Sequence, residues 1–96
     1  PQAAARFPIM NYAIIGCGLI GKKRLAALPS GSRLAVACDT QVARAEELVR
    51  LAKGGRAVAD FREAVADPAV EAVIVCTLNA TLAEISAAAI RAGKHV

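Results

Sequence analysis

Three glycines, Gly16, Gly18 and Gly21, follow a short apolar run at residues 12–15 with the spacing G-x-G-x-x-G. The run is typical of a buried strand, and the residues after the last glycine are typical of a helix. In such a turn the first glycine lets the chain leave the strand sharply. The second admits a phosphate close to the backbone, and the third lets the helix pack on the strand. Because N–H groups at a helix N-terminus attract anions, the turn predicts a seat for the pyrophosphate of a dinucleotide.

Asp39 ends the second predicted strand, 18 residues after Gly21. A carboxylate at this position accepts hydrogen bonds from the hydroxyls of an adenosine ribose and repels a 2′-phosphate, so it favours NAD over NADP. The same residue is also placed to cap the next helix, and the two roles are compatible. Arg44 lies one helical turn further on and can meet a 2′-phosphate or face solvent, so NADP stays open as the cofactor.

A third group of candidate residues follows the fourth predicted strand, at the edge where the nicotinamide half of the cofactor should pass. Asn79 can hydrogen-bond a ribose hydroxyl there, or it can simply favour a turn. The residues predicted to bind the cofactor are therefore Gly16, Gly18, Leu19, Ile20, Gly21, Asp39, Thr77, Leu78 and Asn79.

Three cations, Lys22, Lys23 and Arg24, stand in the first turn of the first predicted helix. Cations at this end oppose the helix dipole, so a nearby anionic ligand would explain them. The alternative is that they simply face solvent.

No residue is predicted to be catalytic. His95 is the only histidine, and no carboxylate or cysteine partner stands near it in sequence, so we expect a structural or surface role. The three cysteines, Cys17, Cys38 and Cys76, have no C-x-x-C spacing, which argues against a disulfide framework and a zinc site. They are best explained as reduced packing residues, which favours a cytoplasmic protein.

Composition argues against two classes of partner. No apolar run approaches the roughly 18–20 residues that a membrane-spanning helix needs, so no membrane partner is expected. The net charge is +4, but the aromatic residues are only Phe7, Tyr12 and Phe61 and the cations are scattered, so no nucleic acid is expected. Residues 1–10 carry no signal-peptide pattern and are expected to form a disordered lead-in to a domain at residues 11–96.

Apolar periodicity predicts strands that alternate with helices. The predicted strands are residues 11–15, 33–38, 56–59 and 70–77, with a fifth beginning at 94–96. The predicted helices are residues 19–28, 42–53, 60–66 and 82–92. Asp60 with Glu63, and Thr81 with Glu84, have the spacing of capping boxes.

This alternation predicts right-handed βαβ units and a Rossmann-type, doubly wound parallel sheet of the α/β class, with strand order 3-2-1-4-5. A ligand should bind at the carboxyl ends of the strands, near the switch point between the first and fourth. Because the fifth strand has barely begun when the sequence stops, we expect an incomplete domain from a larger protein.

With these pieces in place, the sequence resembles the N-terminal domain of the Gfo/Idh/MocA oxidoreductase family over residues 12–96. The matching pieces are I-G-C-G-L-I-G at 15–21, A-V-A-C-D at 35–39, D-P-A-V-E-A-V at 67–73, T-L-N at 77–79 and A-G-K-H-V at 92–96. The resemblance implies NAD(P)-dependent hydride transfer at a hydroxyl-bearing carbon of a sugar, cyclitol or nucleotide-sugar.

The resemblance also implies that the catalytic lysine lies in a Glu-Lys-Pro motif past Val96, so Lys94 is not that residue and this chain alone should be inactive. Substrate contacts and homo-oligomerisation are implied for a C-terminal αβ domain. Leu78 and Leu82 stand where the family commonly has proline and histidine. The alternative function is a regulatory nucleotide-binding module, which would share the glycine turn but lack the pieces at 67–73 and 92–96.

Overall fold

The computed structural model describes residues 8–96, so residues 1–7 of the lead-in predicted at residues 1–10 lie outside the described part of the chain. The strands are β1 (Asn11–Ile15), β2 (Arg33–Cys38), β3 (Arg56–Val58) and β4 (Ala72–Val75). The helices are α1 (Leu19–Ala26), α2 (Val42–Ala52), α3 (Phe61–Ala66) and α4 (Asn79–Arg91). Before β1, the carbonyl of Pro8 accepts a hydrogen bond from the Tyr12 hydroxyl, and that of Met10 accepts one from the Arg33 N–H.

The four strands form one parallel sheet in the order β3-β2-β1-β4, which confirms the predicted order of the first four strands. At the free edge of β4, His95 bridges Ala72 in parallel register. The Val73 N–H donates to the His95 carbonyl at 2.7 Å, and the His95 N–H donates to the Glu71 carbonyl at 3.1 Å. Where the sequence predicted the start of a fifth strand, the structure has a single β-bridge.

Apolar side chains bury both faces of the sheet, as expected for a parallel sheet covered by helices. Because side chains alternate along a strand, Ala13 and Ile15 join a cluster with residues of α3 and α4. Ile14 joins a second cluster with Ala45 and Leu48 of α2. β1 is therefore buried on both sides, at the centre of the fold.

The start of α4 differs from the prediction. The helix begins at Asn79 rather than at residue 82, and Thr81 lies inside its first turn instead of capping it. Leu78 has an extended conformation (φ −65°, ψ 155°), and its carbonyl accepts from the N–H of Leu82 at 3.1 Å. The Thr81 hydroxyl also donates to that carbonyl, at 3.1 Å. The capping box predicted from Thr81 and Glu84 is wrong because the helical ladder starts on Leu78.

The capping box predicted at α3 is half right. Asp60 does cap the helix, but its carboxylate accepts from the Arg62 N–H at 2.9 Å rather than from Glu63. The Glu63 N–H donates to the Asp60 backbone carbonyl, and the Glu63 carboxylate lies 3.6 Å from the Arg56 guanidinium of β3. The reciprocal half of the box is lost because Glu63 has a cationic partner on the neighbouring strand.

Other boundaries are shorter than predicted. α1 stops at Ala26, just ahead of Pro29, whose ring disfavours a helical residue before it. α2 stops at Ala52, and Lys53 rather than Gly54 takes the left-handed conformation, with φ 61°. β4 covers only residues 72–75 because its ladder partner β1 offers just Tyr12 to Ile15, and β3 ends at Val58.

Replacing Leu48 with alanine tests the packing of α2 on the sheet. The Leu48 side chain is 0% exposed, so Leu48→Ala should lower the free energy of unfolding by about 2–5 kcal/mol. Urea denaturation followed by circular dichroism measures the change. Leu51→Ala is the matched control, because Leu51 lies on the same helix but is 56% exposed, and it should change stability by less than about 1 kcal/mol. Equal losses in the two variants would contradict this packing.

Candidate functional site

A cleft of about 860 Å³ opens at the carboxyl edge of the sheet, at the switch point between β1 and β4. It is bordered by the glycine turn and by the residues that follow β2, β3 and β4. Five of the predicted binding residues line it: Gly16, Gly18, Asp39, Thr77 and Leu78. The topology therefore brings together three sequence segments that were selected separately.

The glycine turn passes very close to the end of β4. Gly16 has φ +97°, and a Cβ atom there would lie 2.5 Å from the carbonyl oxygen of Cys76. A Cβ atom on Gly21 would collide with the carbonyl oxygen of Gly16, so α1 packs directly against the turn. Both positions therefore require glycine to keep this geometry.

Gly18 differs from the other two glycines of the turn, because a Cβ atom there would meet nothing within 4 Å. Gly18 is the N-cap residue of α1, and no side chain accepts a hydrogen bond from this end of the helix. The first turn of α1 also holds no acidic residue. The first bond of the helical ladder runs from the Lys22 N–H to the Gly18 carbonyl at 3.0 Å. The N–H groups of Leu19 and Ile20 precede that bond and are not used by the ladder, so they are free to bind an anion.

Asp39 is fixed at the wall of the cleft by two backbone donors. The Cys17 N–H donates to Oδ2 at 2.9 Å and the Gln41 N–H donates to Oδ1 at 2.8 Å. Each carboxylate oxygen has a second lone pair, so the group can still accept from hydroxyls of a ligand. Neither the spacing nor the composition of the sequence indicated the bond from Cys17.

The exit of β4 combines one polar group with an apolar surface. The Thr77 hydroxyl oxygen is buried and has no hydrogen-bond partner within the described part of the chain, so a ligand could satisfy it. Leu78 is 84% exposed and Leu82 is 37% exposed. Asn79 is the first residue of α4. Leu78 therefore places an apolar side chain at the mouth of the cleft.

The start of α3 forms a further wall that sequence reasoning missed. Phe61 and Arg62 line the cleft, and the Arg62 guanidinium lies 4.9 Å from the centroid of the Phe61 ring. Arg62 also lies 3.4 Å from the Asp60 carboxylate. No motif marks these residues. The one signal in the sequence was the predicted parallel sheet. In such a sheet the carboxyl end of β3 lies at the same edge as those of the other strands, so the residues after β3 had to border the cleft.

The cations after the glycine turn do not gather at the cleft. Lys22 is 2.7 Å from the Glu47 carboxylate on α2. It borders a second depression of about 610 Å³, which is lined by the C-terminal ends of α1 and α2. Arg44 does line the cleft, near Asp39 and Thr40.

The thiols near the site are held in the neutral form. Burial, with a smaller contribution from the Asp39 charge, raises the pKa of Cys17 to about 12. Burial likewise raises the pKa of Cys38 to about 11, and it raises that of Cys76. Neutral buried thiols pack as small apolar groups, as the sequence predicted, and are poor nucleophiles.

Residues 8–96 lack two further features. No group of three or more histidine, cysteine, aspartate or glutamate side chains is arranged to hold a metal ion. No helix in this range is long and apolar enough to cross a membrane.

The raised thiol pKa of Cys17 predicts a loss of stability at alkaline pH. The unfolded thiol ionises near pH 9 but the folded one only near pH 12, so the folded state binds more protons between these values and the free energy of unfolding falls as pH rises. Urea denaturation at several pH values should show a shallower fall for Cys17→Ala than for wild type. Identical slopes would contradict the raised pKa.

Comparison with known proteins adds to this geometry. The family described as "Oxidoreductase family, NAD-binding Rossmann fold" (Gfo/Idh/MocA) matches residues 10–96. Inositol 2-dehydrogenase 2 from Saccharopolyspora erythraea is 37% identical over 90 residues, which are 91% of this chain and 26% of that protein. Inositol 2-dehydrogenase 1 from Mycolicibacterium vanbaalenii is 40% identical over 75 residues, which are 75% of this chain and 22% of that protein.

Two solved structures share the fold. An NAD-binding oxidoreductase from Klebsiella pneumoniae has a TM-score of 0.75 at 32% identity, covering 93% of this chain and 26% of that one. A 3-ketoreductase from Actinomadura kijaniata, solved with TDP-benzene and NADP, has a TM-score of 0.83 at 27% identity, covering 93% of this chain and 29% of that one. The chain spans about a quarter of the length of these relatives. It belongs to the Gfo/Idh/MocA oxidoreductase family and corresponds to part of that family's NAD-binding Rossmann domain.

Proposed function

We propose that this chain is the cofactor-binding part of an NAD(P)-dependent dehydrogenase that acts on a hydroxyl-bearing carbon of a sugar, cyclitol or nucleotide-sugar. The observation that carries the proposal is the cleft, where the open side of Gly18, the uncapped N-terminus of α1 and the Asp39 carboxylate meet. The substrate class is supported by relatives named as inositol dehydrogenases and by a ketoreductase solved with TDP-benzene.

The described residues fit a dinucleotide, which would supply the hydride acceptor when bound. The N–H groups of Leu19 and Ile20 would bind the pyrophosphate, with Gly18 leaving room for it. Asp39 would accept from the adenosine ribose hydroxyls. Around the nicotinamide half, the binding residues would be Thr77, Leu78 and Asn79. Gly16 and Gly21 would act by holding the turn against β4 and α1.

The cleft supports cofactor binding without catalysis. Its two carboxylates are engaged with backbone donors, Asp39 by Cys17 and Gln41 and Asp60 by Arg62. We therefore propose that the chain alone turns over no substrate. Proton transfer, substrate contacts and homo-oligomerisation would belong to the regions of the relatives that this chain does not span. The free cysteines support a reducing compartment such as the cytoplasm.

Gly18→Ala tests the proposed pyrophosphate site. The added methyl meets no protein atom within 4 Å, so the variant should stay folded while the methyl occupies space meant for a phosphate. Calorimetric titration with NAD should saturate for the wild-type chain, and the variant should bind about tenfold more weakly, or ~1.4 kcal/mol.

Gly54→Ala is the matched control, because a Cβ atom there also meets nothing within 4 Å and the residue lies after α2, outside the cleft lining. It should keep the wild-type affinity for NAD. If NAD does not saturate the folded wild-type chain, the proposal that this chain binds the cofactor is wrong.

Asp39→Asn tests the preference for NAD. The wild-type chain should bind NAD more tightly than NADP because the carboxylate repels a 2′-phosphate. Removing the charge should lower the ratio of NAD to NADP affinity by about tenfold. Effects common to both cofactors cancel in this ratio. Asp60→Asn removes an equal charge from another wall of the cleft and should leave the ratio within about twofold; equal shifts in both variants would rule out a specific role of Asp39.

A further inference from the structure

The glycine turn is tied to the end of β2 by three hydrogen bonds, which we call the clasp. The Gly16 N–H donates to the Cys38 carbonyl at 2.8 Å. The Cys17 N–H donates to Asp39 Oδ2 at 2.9 Å, and the Cys17 thiol donates to the Cys38 carbonyl at 3.3 Å. Of these three bonds, the one to Asp39 has a side chain as its acceptor, so a substitution can remove it.

We propose that Asp39 is a positioning residue for the glycine turn, in addition to the ribose contact of the proposed function, on which this inference rests. Its two oxygens are held separately, Oδ2 by Cys17 and Oδ1 by Gln41. The carboxylate cannot rotate without losing both bonds. Cys17 is 1% exposed, so removing its acceptor would leave a backbone N–H without a partner and away from water, which is costly.

The clasp acts on the part of the turn that would bind phosphate. Cys17 stands between Gly16, which is wedged against Cys76, and Gly18, whose surroundings are open. Beyond Cys17 the next backbone bond of the turn is the Lys22 N–H to the Gly18 carbonyl, which opens α1. The direction in which the chain enters α1 is therefore set at Cys17. A turn held in this direction before the ligand arrives costs less to order on binding.

The negative charge of Asp39 and its positioning role predict opposite changes in the affinity for an anion when Asp39 is replaced. Asp39 carries a negative charge near the proposed pyrophosphate site, so its removal alone would strengthen anion binding. Loss of the clasp would instead weaken it. Asp39→Ala removes both acceptor oxygens together with the charge, so neither the Cys17 N–H nor the Gln41 N–H keeps its partner.

Inorganic pyrophosphate separates these effects because it has no ribose. Its affinity for the 96-residue chain can be measured by following the amide signals of the ¹⁵N-labelled protein during a titration. Asp39→Ala should bind pyrophosphate at least about threefold more weakly than wild type. Asp60→Asn, which removes the same charge from the same cleft, should bind it equally or more tightly. Equal or tighter binding by Asp39→Ala would overturn the positioning role.

Hydrogen exchange of the Cys17 amide tests the clasp without any ligand. The amide should be protected in the wild-type chain and should exchange at least about tenfold faster in Asp39→Ala, while the Val36 amide inside β2 is unchanged. Rapid exchange of the Cys17 amide in the wild-type chain would overturn the clasp even if the variant fails to fold. If neither pyrophosphate nor NAD binds the wild-type chain, the proposed function is contradicted, and the exchange of Cys17 still tests the clasp.

Discussion

The close passage of the glycine turn over the carboxyl ends of the central strands is the constraint on which the rest of the site depends. Gly16 lies so near the Cys76 carbonyl that a Cβ atom would come within 2.5 Å of it. The Cys76 N–H donates in turn to the Ile15 carbonyl at 2.7 Å. The turn therefore leaves β1 directly against the end of β4, and Gly18 at the start of α1 lines the cleft.

The helix N-termini at this edge of the sheet differ in whether a side chain caps them. α1 and α4 begin without a side-chain cap and without an acidic residue in the first turn. α3 by contrast is capped by Asp60. Uncapped N–H groups keep their partial positive charge for a ligand or for water. The early start of α4 at Asn79 thus adds a second helix N-terminus close to the buried hydroxyl of Thr77.

Features set by local sequence could be predicted, and features set by distant contacts could not. The glycine turn, the strand order and the placement of Asp39 follow from periodicity, from glycine spacing and from the topology of parallel sheets. The start of α4 escaped prediction because its first backbone hydrogen bonds are accepted by the Leu78 carbonyl, whereas the sequence pattern pointed to a cap at Thr81. The bond from Cys17 to Asp39 joins residues 22 positions apart, and no pattern within one segment encodes such a contact.

Asp39 shows how two backbone donors can fix one carboxylate at the wall of the cleft. Each of its oxygens is oriented by a backbone donor, so the carboxylate keeps its direction without a ligand. The neighbouring thiols stay neutral because burial raises their pKa values. The cleft therefore combines rigid acceptors and donors with no free acid or base among the carboxylates and thiols that line it. Such an arrangement suits holding a cofactor and leaves proton transfer to other groups.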